Sequence, residues 1–369
     1  MTHFDEKKAI LTAADASAIE DARIKAVDSL LNPDEPTANI VGVAAGVKWK
    51  EGVPTGEPAL LALVTHKLDK GDLRKEDLVP TKVGELKTDV LEVGFPMAEQ
   101  TLQAPVAGDG VVLLEEEHAA PPMAAPMMLA RRQRPAEGGY SVGHYQITAG
   151  TIATCVYDIL PGGTTSGSPV PGAGIPPHFY VLSNNHVLAN VNNASVGDPI
   201  LQPGPYDGGT DPADRIATLS RFIPIMLDPP IPRAQHRNFV DAAVAEGQFH
   251  DLDREVYWAG RVRGWCRKAN VAVGTMVQKT GRTTNYTVGR ITAINATVDV
   301  GYGSGRVGRF HDQIILTNMS AGGDSGSLVM TLDEVAVGLL FAGSAVVTIA
   351  NQIENVRSLL RVEVAEEVL

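Results

Sequence analysis

The chain has 369 residues, of which 44% are hydrophobic and 20% charged, and its formal net charge is −12. An excess of 43 Asp and Glu over 31 Lys and Arg argues against a general role on nucleic acid or on an anionic membrane surface. Only 5% aromatic residues, with 37 Gly and 24 Pro, point to a turn-rich β chain rather than a helix bundle, and the length favours two domains over one.

Residues 12–31 carry a helical pattern. Thr12 and Asp15 offer capping oxygens, and Ile19, Ala22, Ala26, Val27, Leu30 and Leu31 recur at three-to-four spacing before Asn32-Pro33 ends the run. Two strands are expected at Ile40–Lys50 and Ala59–Val64 across a turn-rich segment at 51–58, and a third at 85–93. Together these make a small α/β domain over residues 1–100, in which nothing reads as catalytic. The start mixes Asp5 and Glu6 with Lys7 and Lys8 and has no apolar core behind it, so no secretory signal is expected. No run reaches the roughly 18 apolar residues that a membrane span needs.

Residues 101–140 change texture. Proline and alanine without period (Ala119–Pro126), then Arg131, Arg132 and Arg134, read as an exposed linker. From Gly150 onward the pattern is β. Runs of strand type occupy 151–157, 179–188, 271–279, 288–300, 313–317, 328–331 and 335–342, a spacing that suggests a barrel or sandwich. A closing helix is expected over 348–360, with Ile349, Ile353, Val356 and Leu360 on one stripe. Gly303-Ser304-Gly305-Arg306-Val307-Gly308 fits a dinucleotide-binding pattern by letter. The pattern needs a helix next, and a loop into a strand follows instead, so a β-turn is expected.

The chemistry concentrates in three places. Gly322-Gly323-Asp324-Ser325-Gly326-Ser327 sets a serine in a tight turn before an apolar strand, and its glycines allow the amides of Gly323 and Ser325 to converge on a developing oxyanion. Alone it reads as a Gly/Ser hairpin loop. Acyl transfer also needs a base and an acid that orients it. His186 directly follows the apolar strand ending Ser183-Asn184-Asn185. Asp241 stands in Phe239-Val240-Asp241-Ala242-Ala243, where a carboxylate is costly to bury unless something hydrogen-bonds it. The other acids between His186 and Ser325 that lie among Gly and Pro read as loop residues.

With these motifs, and with Lys279-Thr280-Gly281-Arg282-Thr283-Thr284 and Val337–Ser344, the chain resembles the trypsin-like (chymotrypsin-fold) serine peptidases of the bacterial, non-secreted type, over roughly residues 145–360. The order His, Asp, Ser is that family's order. The resemblance implies a mainly β, two-barrel protease domain over 141–369 with a C-terminal helix, preceded by the small α/β domain. It implies His186 as base then acid, Asp241 as its orienter and Ser325 as nucleophile. The amides of Gly323 and Ser325 would form the oxyanion hole, Phe341, Ala342 and Gly343 the strand that pairs with substrate, and Met319 the base of the specificity pocket. No acid stands at Met319, so a preference for Arg or Lys before the cleaved bond is not implied. The departures are Ser-Asn-Asn before the histidine, Ser327 where glycine is usual, and the lack of a partner for Asp324. Secreted relatives supply that partner from a newly cut N-terminus. Ile40-Val41-Gly42 matches such a terminus by letter but reads as an ordinary strand, so Asp324 is expected to be satisfied internally or by a residue that the sequence does not name.

The expected activity is therefore peptide-bond hydrolysis through an acyl-enzyme, on protein or peptide substrates, with no metal or cofactor and no nucleic-acid or membrane partner. A homo-oligomer stays open. Cys155 and Cys266 make no disulfide framework and lack metal-ligand spacing, which fits buried thiols in a reducing cytoplasm, with a single bridge as the alternative. Two further readings share the same residues: a catalytically silent fold used for binding or assembly, and a peptidase held latent by its N-terminal region or linker.

Overall fold

The computed structural model describes residues 8, 10–11, 13–32, 39–50, 53–98, 128–147, 149–160, 162–165, 167 and 175–368. Two β-barrels meet face to face, and the residues of interest lie where they meet. In the first, a sheet runs in the order Val362–Glu363, Cys155–Asp158, Phe179–Ser183, Ala243–Gly247, Arg215–Phe222, Pro199–Leu201, Ser141–His144, Gly150–Thr151. The β-branched run at 151–157 is one strand broken in the middle. Its start pairs with Ser141 and Val142, and its end pairs with Phe179, Tyr180 and Val181, so the ring closes through it.

The second barrel orders Met276–Gly281, Leu328–Thr331, Val335–Gly343, Val347–Gln352, Val307–Thr317 and Asn285–Gly301. Met276–Gly281 pairs back onto Asn285–Gly301 and closes six antiparallel strands into a ring. The glycine-rich segment at 303–308 is the turn between its two longest strands, with Gly303, Ser304 and Gly305 all at positive φ. That is the β-turn expected from the sequence.

The expected closing helix over 348–360 needs correction at its start. Val347–Gln352 is a strand, buried on both faces between Val307–Thr317 and Val335–Gly343, and the helix is Ile353–Leu360. An apolar residue every fourth position satisfies a two-residue period as well as a helical one, so Ile349 and Ile353 did not discriminate. The helix buries Ile353, Val356 and Leu360 in a core that holds Tyr180, Leu182 and Val244 of the first barrel together with Leu328, Met330 and Leu339 of the second. This shared core fixes the barrels against each other and hence the distance between groups on their facing rims.

The N-terminal helix is Ala13–Leu30, followed by strands Ile40–Lys50, Val53–Val64 and Leu86–Glu92. Residues 53–58, read as turn, belong to the second of these strands, and Thr12 and residues 51–52 lie outside the described residues. Ile40–Lys50 pairs with Asn285–Gly301, so the N-terminal strands continue the sheet of the second barrel. Ile40-Val41-Gly42 is ordinary strand here, as expected. Of the expected linker, 101–127 lies outside the described residues. Within 128–140, Leu129 is fully buried and Ala136–Gly138 pairs with Leu252–Val256.

Candidate active site

His186 sits in a single helical turn, Asn185–Leu188, entered through extended Asn184. The Ser-Asn-Asn that precedes it is a set of anchors. Ser183 Oγ donates to Thr151 O (2.7 Å), Asn184 Nδ2 to Asp241 O (2.7 Å) and Asn185 Nδ2 to Ile223 O (2.8 Å). The backbone thus leaves the sheet at one defined place, and the imidazole projects toward Asp241. His186 Nδ1 lies 2.7 Å from Asp241 Oδ2, and His186 N donates to Asp241 Oδ1 at 3.1 Å.

Asp241 is fully buried, so its charge needs donors. Besides the two from His186, Tyr302 Oη donates to Oδ2 at 2.7 Å. The Tyr302 ring stands edge-on to the imidazole, with centroids 6.3 Å apart. Asp241 N donates to Asn351 Oδ1 (3.0 Å), and Asn351 Nδ2 to Gln313 Oε1 (2.7 Å), which ties the acid to the second barrel. An ionised carboxylate on Nδ1 assigns the proton to that nitrogen and leaves Nε2 as an acceptor. Nε2 has no hydrogen-bond partner among the described residues.

Across the junction, the Ser325 turn is held by its carbonyls. Thr151 N donates to Ser325 O (2.8 Å) and Thr151 Oγ1 to Gly323 O (2.9 Å). Gly326 has φ +96°, and a Cβ there would stand 2.1 Å from Ser183 Oγ and 2.2 Å from Thr151 O, so only glycine lets the turn touch the first barrel. The Gly322 carbonyl accepts from Thr283 Oγ1 (2.7 Å). The Asp324 carbonyl accepts from Ser327 N (3.0 Å) and Ser327 Oγ (2.6 Å). In a trans peptide the N–H points opposite to the C=O. Pinning these two carbonyls therefore turns the Gly323 and Ser325 N–H groups to the other side, where neither has an acceptor among the described residues.

The partner of Asp324 is Lys279. Both side chains are fully buried, with Nζ 3.2 Å from Oδ2. Burial pulls the ammonium below its ordinary pKa, and the Asp324 charge pulls it back up. Asp324 also accepts from the N–H groups of Thr283 (2.8 Å), Thr284 (3.1 Å) and Ala321 (3.0 Å) and from Thr284 Oγ1 (2.6 Å). A Cβ at Gly281 would come 2.5 Å from Asp324 Oδ1, which accounts for the glycine inside Lys279–Thr284. That hexapeptide is the cradle of the serine turn.

The cleft beside Ser325 is lined by Met97, Ala98, Ser320, Ala321, Gly322, Leu340, Ala342, Gly343 and Ser344, with a free volume of about 20 Å³. Ala342 and Gly343 line this cleft, and Phe341 is fully buried in the core. Met319 is 5% exposed and packs in a core cluster with Val277, Ile291 and Val329, one residue short of the lining. Tyr302 carried no sequence signal for its role, since it stands in no motif and reaches Asp241 through one hydroxyl. Thr283 lies in the Lys279–Thr284 stretch, but nothing in the letters assigns its hydroxyl to the Gly322 carbonyl. His178 pairs with Glu246 on the surface (2.8 Å), outside this site. Cys155 and Cys266 are free thiols, pushed up by burial to about 12 and about 11 respectively, so neither is poised as a nucleophile.

No protein-family model matches the chain, and no curated protein matches it. Solved structures are similar to it. Protease A of Thermobifida fusca aligns with a TM-score of 0.42 and 16% identity over 63% of this chain and 99% of its own. A Nocardiopsis protease gives 0.40 and 19% over 62% and 97%. Cellulomonas bogoriensis chymotrypsin gives 0.40 and 17% over 63% and 99%. Among the described residues, no helix is long and apolar enough to cross a membrane.

Proposed function

We propose that this chain is a serine endopeptidase in which His186, Asp241 and Ser325 form the catalytic triad. The observation that carries the reading is the buried Asp241 carboxylate on Nδ1 of His186, together with a serine turn that docks on Thr151 of the same barrel and whose Gly323 and Ser325 N–H groups have no acceptor among the described residues. His186 Nε2 takes the Ser325 hydroxyl proton as Oγ attacks the carbonyl carbon. Asp241 holds the tautomer and stabilises the imidazolium. The Gly323 and Ser325 amides receive the oxyanion. His186 then protonates the leaving amine, and water repeats the sequence on the ester. The missing contact at Nε2 is of the kind that tightens in a substrate complex. Peptide would add to the edge of Val335–Gly343 as a further strand at Ala342 and Gly343, taking the place that Met97 holds on Gly343. An apolar or a small side chain before the cleaved bond is the preference in keeping with a lining that has no acid. The two free thiols favour a reducing, cytoplasmic setting.

One observation favours latency. Met97 and Ala98 occupy the cleft, and little free volume is left beside Ser325. A fluorophosphonate probe tests the reading. Slow labelling of Ser325 in the full chain, speeded when the segment around Met97 is displaced, is expected. A Ser325 that never labels, in any variant with the cleft opened, supports the binding-module reading instead.

Tyr302→Phe is expected to lower kcat/KM about tenfold, equivalent to ~1.4 kcal/mol for one hydrogen bond to a charged group. A purely structural Tyr302 would shift Tm and leave kcat/KM of the folded enzyme at the wild-type level.

A further inference from the structure

A cavity of about 400 Å³ opens between the C-terminal half of the helix Ala13–Leu30 and the second barrel. The helix side contributes Ile24, Val27 and Leu31. The barrel, and the segment that leads to Asp241, contribute Arg233, Arg237 and Arg309. No residue of this lining belongs to the cleft beside Ser325. With Arg23, the lining carries four guanidiniums against one carboxylate, Asp28.

The four arginines are not equivalent. Arg23 and Arg309 are buried and already engaged. Arg23 donates through Nε to Glu20 Oε2 (2.9 Å) and through Nη1 to Thr297 Oγ1 (2.8 Å). Arg309 donates through Nε and Nη2 to Asp299 (2.7 and 3.0 Å) and through Nη1 to Leu31 O (2.9 Å). These two form the base of the cavity. Arg233 is held by two carboxylates, with Nε on Asp228 Oδ2 (3.1 Å) and Nη1 on Asp299 Oδ2 (2.9 Å). That fixes its plane and leaves Nη2 with no acceptor among the described residues. Arg237 is exposed and donates only through Nη1, to the carbonyls of Ala234 (3.4 Å) and His236 (2.8 Å). Among the described residues no carboxylate pairs with it, and its Nε and Nη2 have no acceptor.

His311 shows that the positive field reaches the base. Its Nδ1 lies 3.2 Å from Thr297 Oγ1 and its Nε2 3.2 Å from the His236 carbonyl. Burial holds the imidazole below its ordinary pKa. The His236 carbonyl opposes that, and the charges of Arg23, Arg237 and Arg309 add to it.

We propose that this cavity binds a small organic anion, with an oxyanion headgroup (carboxylate or phosphate) accepting from Arg233 and Arg237 and an apolar body against Ile24, Val27 and Leu31. The volume is that of an ordinary small-molecule site. A guanidinium presents a planar fork that matches either headgroup, and Arg233 is anchored in place before any ligand arrives. Asp28 sets a limit on the ligand, since a body with a second negative charge would meet it. The site spans helix and barrel, so an occupant ties one to the other. None of this depends on the peptidase reading.

Calorimetric titration of the full chain at low ionic strength tests the proposal, with phenyl phosphate, phenylacetate and the neutral benzyl alcohol as probes. At least one of the two anions is expected to bind with a single site per chain, and the better one identifies the headgroup. Arg237→Gln, at an exposed position, should weaken that anion about tenfold or more with Tm unchanged. Ile24→Ser should weaken it several-fold, because the apolar body loses its wall. Failure of both anions to bind overturns the proposal, as does an affinity that Arg237→Gln leaves unmoved. Benzyl alcohol binding as tightly as the anions would mean an apolar hollow without headgroup recognition. Inorganic phosphate matching phenyl phosphate, with Ile24→Ser indifferent, would mean an adventitious ion only. Each of these last two results also sinks the idea.

Discussion

Ser325→Ala is expected to lower kcat on a peptide substrate by on the order of 10⁶-fold, with far-UV circular dichroism and Tm close to wild type. The size follows from the proposed roles. Without Oγ there is no acyl-enzyme, and what remains is the binding of peptide and the polarisation of its carbonyl. His186→Ala should cost a similar amount, because the two groups act as one unit and their losses do not add. Asp241→Asn should cost about 10⁴-fold, since an amide donating to Nδ1 forces the proton onto Nε2 and removes the base. His186 N also donates to Asp241 Oδ1, and an asparagine can still accept there through its own oxygen, so the loss would be one of tautomer more than of position. Near-normal turnover in Asp241→Asn would mean that a different acid orients the histidine.

Lys279→Met is the second large effect. Removing one member of a buried ion pair leaves the other charge uncompensated, at about 3–5 kcal/mol. Here the orphan would be Asp324, next to Ser325. The Lys279 ammonium also donates to Thr284 Oγ1 and to Asn285 O (3.2 Å), so the change loosens both ends of the Lys279–Thr284 cradle. Thermal unfolding should show the loss in stability. Fluorophosphonate labelling should show a second loss, because Thr283 orients the Gly322–Gly323 peptide and depends on the same cradle. Replacing Asp324 as well should not restore labelling, since the N–H groups of Thr283, Thr284 and Ala321 would then lose their acceptor. Full labelling in Lys279→Met would show that the ion pair has no part in holding the turn.

What the sequence disclosed followed the physics of each signal. Strands with apolar runs and turns rich in glycine were legible, and so was a carboxylate standing between valine and alanines, because burying it demands a partner. The internal satisfaction of Asp324 was expected, and Lys279–Thr284 was noticed, but nothing in the letters joins residues 279 and 324. That contact exists only once Met276–Gly281 and Leu328–Thr331 pair side by side. The closing helix was read too long because Val347–Gln352 is buried on both faces and mixes Thr348, Asn351 and Gln352 with apolar residues, so it lacks the alternation that separates strand from helix. Tyr302 was illegible as a lone aromatic before a turn. Met97 was illegible for a different reason. It is held in the cleft by backbone groups, and those are the same in every residue but proline.

The seam between Ile40–Lys50 and Asn285–Gly301 has one more consequence. Gly42 faces Val298 and Gly46 faces Ala293 across it, and a Cβ at Gly42 would come 2.6 Å from Thr297 O, so the two backbones approach as neighbours in one sheet do. Arg23 Nη1 donates to Thr297 Oγ1 (2.8 Å) and Arg309 Nη1 to Leu31 O (2.9 Å) across the same seam. A break between the two parts would thus leave a nicked particle, one that elutes as a single species under native conditions and comes apart only in denaturant. By the same reasoning, the two pieces made separately are candidates for fragment complementation, with the exposed edge of Asn285–Gly301 as the template on which the first piece zips.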